Sequence, residues 1–189
     1  MDFAIIGALI YVLAFSRYIY STLKDKNKPN RATWFIWAFL GFILLFSYYS
    51  GGARETIPLL IVNQLGMCII FLISLKFGEG GYTKFDIYCL FGAFVSILVW
   101  FISRNPLYAL LFGILTDLFG ALPTIKKSFV DPVHEDKITW ILFLLGNSFN
   151  LLAIKNWNFE IYIYPLYMVL LCFTVLIILL RGLFCVRVK

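Results

Sequence analysis

Little in this sequence is suited to water. Charged residues make up only 14% of its 189 positions, against about 25% in an ordinary soluble domain. No polar or Gly/Ser-rich stretch is long enough for a linker or a separate soluble domain. Histidine occurs once, as His134 in a polar segment, which leaves a histidine-based metal centre almost no basis. The four cysteines, Cys68, Cys89, Cys172 and Cys185, sit in or beside apolar runs without CxxC spacing. They read as small buried hydrophobes, not as disulfide or metal ligands. There is no Ser/His/Asp set, no HExxH and no phosphate-cradling GxxxxGK[ST]. An enzyme is therefore not expected, nor is a cofactor, and any transport would be facilitated or ion-coupled. The N-terminus lacks the basic start and small-residue cleavage site of a signal peptide, so the first apolar run reads as a retained span.

What is present is hydrophobic. Apolar residues account for 62% of the chain and aromatic residues for 19%, and the mean hydropathy is +0.90. The expected class is an all-α polytopic membrane protein, with the lipid bilayer as its first partner. A spanning helix needs roughly 20 apolar residues, and seven runs approach that length: 3–23, 33–50, 56–77, 86–104, 107–124, 138–154 and 161–181. Polar or helix-breaking segments separate them. The weakest separator is Arg104-Asn105-Pro106, where the proline suits the start of a helix. Placing the N-terminus outside puts Lys24, Lys26, Lys28, Arg31, Lys76, Lys84, Lys126, Lys127, Lys137, Arg181, Arg187 and Lys189 inside. Only Arg54, Arg104 and Lys155 remain outside. The positive-inside rule thus predicts N-out and C-in. It also explains the net charge of +6 without nucleic acid. A prokaryotic plasma membrane is the default location, and self-association is left open.

The chain writes one boundary twice. With Tyr20 set against Pro123, Pro29 falls on Pro132, and Thr33-Trp34 matches Thr139-Trp140 after three extra residues. Gly41 and Gly146 follow, each third helix opens near a proline (Pro58, Pro165), and the halves close at Lys76 to Gly78 and Arg181 to Gly182. This predicts two parallel three-helix repeats, 1–80 and 106–189, joined by a linker helix in 81–105. Parallel repeats of this kind, related by an axis along the membrane normal, occur in transporters.

In this arrangement the sequence resembles the PQ-loop superfamily, which includes the SWEET sugar transporters and their half-sized bacterial relatives. That family has seven helices as three plus one plus three, N-out and C-in, with a Pro-Gln dipeptide near the cytosolic end of the first helix of each triplet. Pro123-Thr124 and Tyr20-Ser21 stand at those places here, so glutamine is missing from both and proline from one. The resemblance implies alternating access and a mid-depth Trp–Asn substrate site. Trp37 and Asn63 resemble that pair in the first half, while the second half offers no clear tryptophan on its second helix beyond Trp140. It also implies a hinge at Pro123.

Polar groups at bilayer depth are expensive and carry the remaining expectations. Asp117 lies midway along the fifth run, and Arg17 in the first run is its natural partner. The two form either a structural pair or a gate or proton-coupling element, unless Arg17 snorkels to the interface. Asn63, Gln64, Asn147 and Asn150 carry donors and acceptors suited to a polar solute; interhelical hydrogen bonding is the plainer use. Trp34, Trp100, Trp140, Trp157 and Tyr18, Tyr20, Tyr48, Tyr49, Tyr162, Tyr164 and Tyr167 read as interfacial belts. Glu135 and Asp136, beside Lys137, read as a solvated loop. The expected function is transport of a small polar solute, a sugar first, then a vitamin precursor or amino acid. The alternative is a non-transporting receptor or scaffold that binds a peptide or protein. An intramembrane lipid-modifying enzyme would need polar residues clustered at one interface.

Overall fold

The computed structural model describes residues 2–50, 57–103 and 106–185, and for 43, 44, 46–50, 100, 103, 106, 109 and 182–185 the backbone alone. The roles expected of Tyr48, Tyr49, Arg54, Trp100, Arg104, Cys185, Arg187 and Lys189 fall outside that description. Seven α-helices follow in order: α1 (Phe3–Leu23), α2 (Arg31–Ser50), α3 (Ile57–Phe77), α4 (Lys84–Ser103), α5 (Pro106–Val130), α6 (Lys137–Leu152) and α7 (Phe159–Cys185). A 3-10 turn, Pro132–His134, precedes α6. Among the described residues the only β-type pairing is an isolated bridge between Asn30 and Glu79.

Among the described residues, three helical segments are long and apolar enough to cross a membrane: Phe3–Leu23, Ile57–Phe77 and Phe159–Arg181. Their outward faces carry large apolar side chains, such as Leu9, Leu13, Leu65 and Leu72, each at least 60% exposed. Contiguous apolar surface of this kind is unusual on a soluble monomer. The apolar helix α6 has 16 residues, a length of about 24 Å at 1.5 Å per residue.

The helices start where polar side chains can take up their first N–H groups. Asp2 accepts from Ala4, Asn30 from Ala32 and Thr33, and Asp136 from Thr139. Thr83 and Asp86 cap α4 reciprocally: Thr83 N–H donates to the carboxylate and Asp86 N–H to the threonine hydroxyl. The Asp86 carboxylate also accepts from Gly81, which sits at φ +88°, a conformation that glycine adopts without steric cost.

Packing orders six of the helices in a closed sequence of neighbours, α1, α3, α2, α5, α7, α6 and back to α1. Exchanging α1 with α5, α2 with α6 and α3 with α7 leaves these neighbour relations unchanged. Helix α4 stands apart, against α5 and α2. Helices α1 and α6 approach closely through glycine: a Cβ on Gly7 would lie 2.9 Å from the Gly146 carbonyl oxygen. Small residues that let backbones touch are the common device of helix packing in membranes.

Several elements differ from expectation. Helix α5 runs through Pro123 and on to Val130 instead of ending near residue 124. The ring at Pro123 removes the N–H that Phe119 O would otherwise accept, a loss one helix can absorb locally. Trp34, Trp140 and Tyr18 are 1%, 2% and 0% exposed, and Tyr164 is likewise buried. These four are core residues, not belt residues, because they face the interior of the six-helix arrangement. Trp157 and Tyr20 are exposed, as a belt requires.

Candidate functional site

Three clefts meet at Asn63. One is walled by aromatic and thioether side chains from both halves: Tyr11, Phe15, Trp34, Trp37, Met67, Trp140, Phe143 and Met168, with Cys172 beside them. Trp34 and Trp140 each stand four residues past a helix cap, Asn30 and Asp136, and each follows a buried threonine. The same local sequence therefore turns an indole inward on α2 and on α6. Trp37 and Phe143, three residues further on, fall on the same inward faces.

The second cleft lies between α3, α6 and α7 and is lined by Asn63, Asn147, Asn150 and Tyr164. Asn147 donates to the Cys172 thiol at 3.4 Å. The third is lined by Trp37, Gly41, Asn63, Gln64, Asp117 and Tyr164. The structure thus brings Trp37, Asn63, Gln64, Asn147 and Asn150 around one group of clefts, with Asp117 beside them. Arg17 and Pro123 are not among the lining residues.

Asp117 is 1% exposed. Its two carboxylate oxygens accept from Tyr164 at 3.2 Å and Tyr167 at 2.8 Å, while its backbone carbonyl accepts from the Trp37 indole at 3.2 Å. The expected Arg17–Asp117 pair does not form. Arg17 Nε instead donates to Asp136 at 3.0 Å, in the turn before α6. The reason is the neighbour order: α1 packs on α6, and it is α2 and α7 that flank α5 beside the aspartate.

The second correction concerns the α5–α6 loop. Glu135 and Asp136 are buried, at 3% and 9% exposure, and form no solvated charge cluster. Glu135 Oε1 accepts from the Tyr18 hydroxyl at 3.0 Å and the Trp140 indole at 2.9 Å. Its other oxygen lies 2.7 Å from Lys127 Nζ. The same ammonium donates to the carbonyls of Lys28 and His134, and Glu79 stands 3.5 Å away. Lys28 N–H also donates to His134 O, and Arg31 and Glu79 tie the α1–α2 loop to the α3–α4 loop. One end of the helix group is thus closed by three loops around a buried Lys127–Glu135 pair. On the surface of this end, Asp131 accepts from or pairs with His134 at 2.6 Å, which holds its carboxyl below the usual carboxylate range.

Inspection of the runs alone misses Tyr164 and Tyr167 as partners of Asp117, and Lys127 as partner of Glu135. The repeated Thr-Trp does signal that Trp34 and Trp140 play equivalent parts. Comparison with known proteins adds no relative: no family model matches the chain, and neither a curated protein nor a solved structure matches it.

Proposed function

We propose that the protein is a membrane transporter that moves a small polar solute by alternating access, built like the PQ-loop and SWEET proteins from seven spanning helices as three plus one plus three. The observation that carries this reading is the group of clefts at Asn63, to which α2, α3, α6 and α7 all contribute amide or aromatic side chains. A site between two equivalent halves is what rocking of one half against the other requires. The exchange symmetry of the helix neighbours supports the repeat, and the inward Thr-Trp pairs of α2 and α6 extend it to side chains.

In this reading Trp37, Asn63, Gln64, Asn147 and Asn150 hold the solute, and aromatic walls select one with a ring or other flat face. The loop end is the inner gate, and the Lys127–Glu135 pair is its latch. Arg17 acts at that gate through Asp136. Pro123, at the level where α5 approaches the latch, lets the helix bend as the gate opens.

The test is a thermal-stability screen of the purified protein against sugars, amino acids and vitamin precursors, followed by flux in proteoliposomes. A ligand that binds only the folded state raises stability by about 2.7 kcal/mol at a hundred times its Kd. A stabilising solute that also crosses the bilayer, with both effects lost in Asn63→Ala, is the expected result. Saturable binding without flux would overturn transport in favour of a receptor of the same architecture.

A further inference from the structure

We propose that the third cleft is a cation site, and that the solute binds there through a primary or secondary ammonium group. This rests on the solute-site reading above and names the chemistry of the solute.

The argument is one of unmatched charge and unmatched acceptors. A buried carboxylate is costly unless it is paired with a cation or proton. Among the described residues no basic side chain pairs with Asp117; Arg17, the partner expected from the sequence, is engaged by Asp136, and Lys127 by Glu135. Two tyrosine hydroxyls donate to it, which solvates the charge without cancelling it. The second observation is independent. Gln64 is 4% exposed and lines the same cleft. Its amide nitrogen donates to Ala38 O at 2.8 Å and to the Cys68 sulfur at 3.1 Å, which fixes the orientation of the group. Its oxygen then has no partner among the described residues. That oxygen lies over Gly41, where a Cβ would stand 1.8 Å from it, so the glycine makes the room it occupies.

The cleft therefore offers a carboxylate and an orphan amide oxygen, and it lacks a positive N–H group. An ammonium supplies both missing elements. It cancels the Asp117 charge and donates to the Gln64 oxygen. Trp37 and Tyr164 line the same cleft, where an aromatic ring can add cation–π attraction. A quaternary ammonium would leave the amide oxygen unpaired, and a sugar would leave the carboxylate to be neutralised by a proton. The ammonium class thus departs from the sugar that the resemblance puts first.

The test uses the full-length protein in detergent, with tryptophan fluorescence and thermal stability as readouts and three probes of one shape. These are phenethylamine, 2-phenylethanol and phenethyltrimethylammonium, with smaller and larger primary amines alongside. Saturable binding of at least one primary amine, at least tenfold tighter than its alcohol and its trimethylated analogue, is expected. Asp117→Asn should weaken the amine at least tenfold and leave the alcohol unchanged. Gly41→Ala, which displaces the Gln64 oxygen, should weaken it severalfold and keeps the test open if the aspartate variant fails to fold. Equal binding of amine and alcohol, or silence across the amines, would overturn the proposal. So would sodium chloride alone giving the Asp117-dependent shift, since the site would then hold an inorganic cation. Proteoliposome flux separates the two readings. Amine binding without flux leaves the cation site and removes transport; flux of a neutral solute without amine binding does the reverse.

Discussion

Replacing Lys127 by methionine should destabilise the protein far more than replacing Glu135 by glutamine. The two side chains are 6% and 0% exposed and 2.7 Å apart. At that separation and an effective dielectric constant of about 20, their attraction is about 6 kcal/mol. Desolvation of both charges opposes most of it, so the pair adds little net stability, but removing one partner leaves a buried charge and costs about 3–5 kcal/mol. The network makes the two removals unequal. In Glu135→Gln the ammonium keeps the carbonyls of Lys28 and His134 and stays close to Glu79. The glutamine oxygen can still accept from Tyr18 and Trp140. In Lys127→Met the carboxylate keeps those two donors on one oxygen and has nothing on the other. We therefore expect about 3–5 kcal/mol for Lys127→Met and about 1–3 kcal/mol for Glu135→Gln, the range for one buried hydrogen-bonding group left unsatisfied. The double variant Lys127→Met/Glu135→Gln should recover at least half of the larger loss. Equilibrium unfolding of the purified variants in mixed micelles measures all three. Equal losses in the two single variants, strict additivity in the double, or losses below about 1 kcal/mol would refute the buried-pair account. A thiol reagent aimed at Cys172, which lines the central cavity, gives a second reading: in a variant with no other cysteine, Glu135→Gln should speed its modification.

Other expectations follow from the same contacts. Asn63→Ala should abolish solute-induced stabilisation while changing basal stability by no more than about 2 kcal/mol, the upper end of the amide contribution within membranes; ligand-dependent melting checks it. Gly7→Ala puts a methyl 2.9 Å from the Gly146 carbonyl and should cost about 1–3 kcal/mol through forced separation of α1 and α6, measured by unfolding. Asp136→Ala should cost about 1–2 kcal/mol, chiefly the cap of α6. Asp136→Asn keeps the cap and should cost less, since Arg17 is 37% exposed and its pair is screened. Asp131 has a folded-state pKa below its ordinary 3.8. Its contribution is therefore present above that pH and is lost as pH falls through the lowered value. The stability difference between wild type and Asp131→Asn should shrink below pH 3.8 and stay under about 1 kcal/mol throughout, given its exposed position.

The helices were legible because an apolar run of spanning length has few alternatives, and their observed ends lie close to the polar separators. The exceptions have local causes. Helix α5 overruns Pro123 because the buried Lys127 and Ser128 continue its packing into the loop end. The candidate solute residues were legible as costly amides in apolar runs, and the structure gathers them around Asn63. Their hydrogen-bond partners were not. Composition cannot distinguish an inward indole from one in an interfacial belt, and Trp34 and Trp140 were misassigned for that reason. Glu135 and Asp136 looked solvated because their neighbours in the chain are polar, whereas their burial comes from Tyr18, Lys127 and Trp140.

The sequence by itself determined an all-helical, strongly apolar chain with a boundary written twice, since hydropathy, caps and breakers act over a few neighbouring residues. Tertiary structure alone decided that Arg17 meets Asp136, that two tyrosines of α7 receive Asp117, and that Glu135 turns inward to Lys127. Those pairings depend on which helices become neighbours. That order is set by packing across the whole group, including a glycine contact between α1 and α6 that no local pattern records.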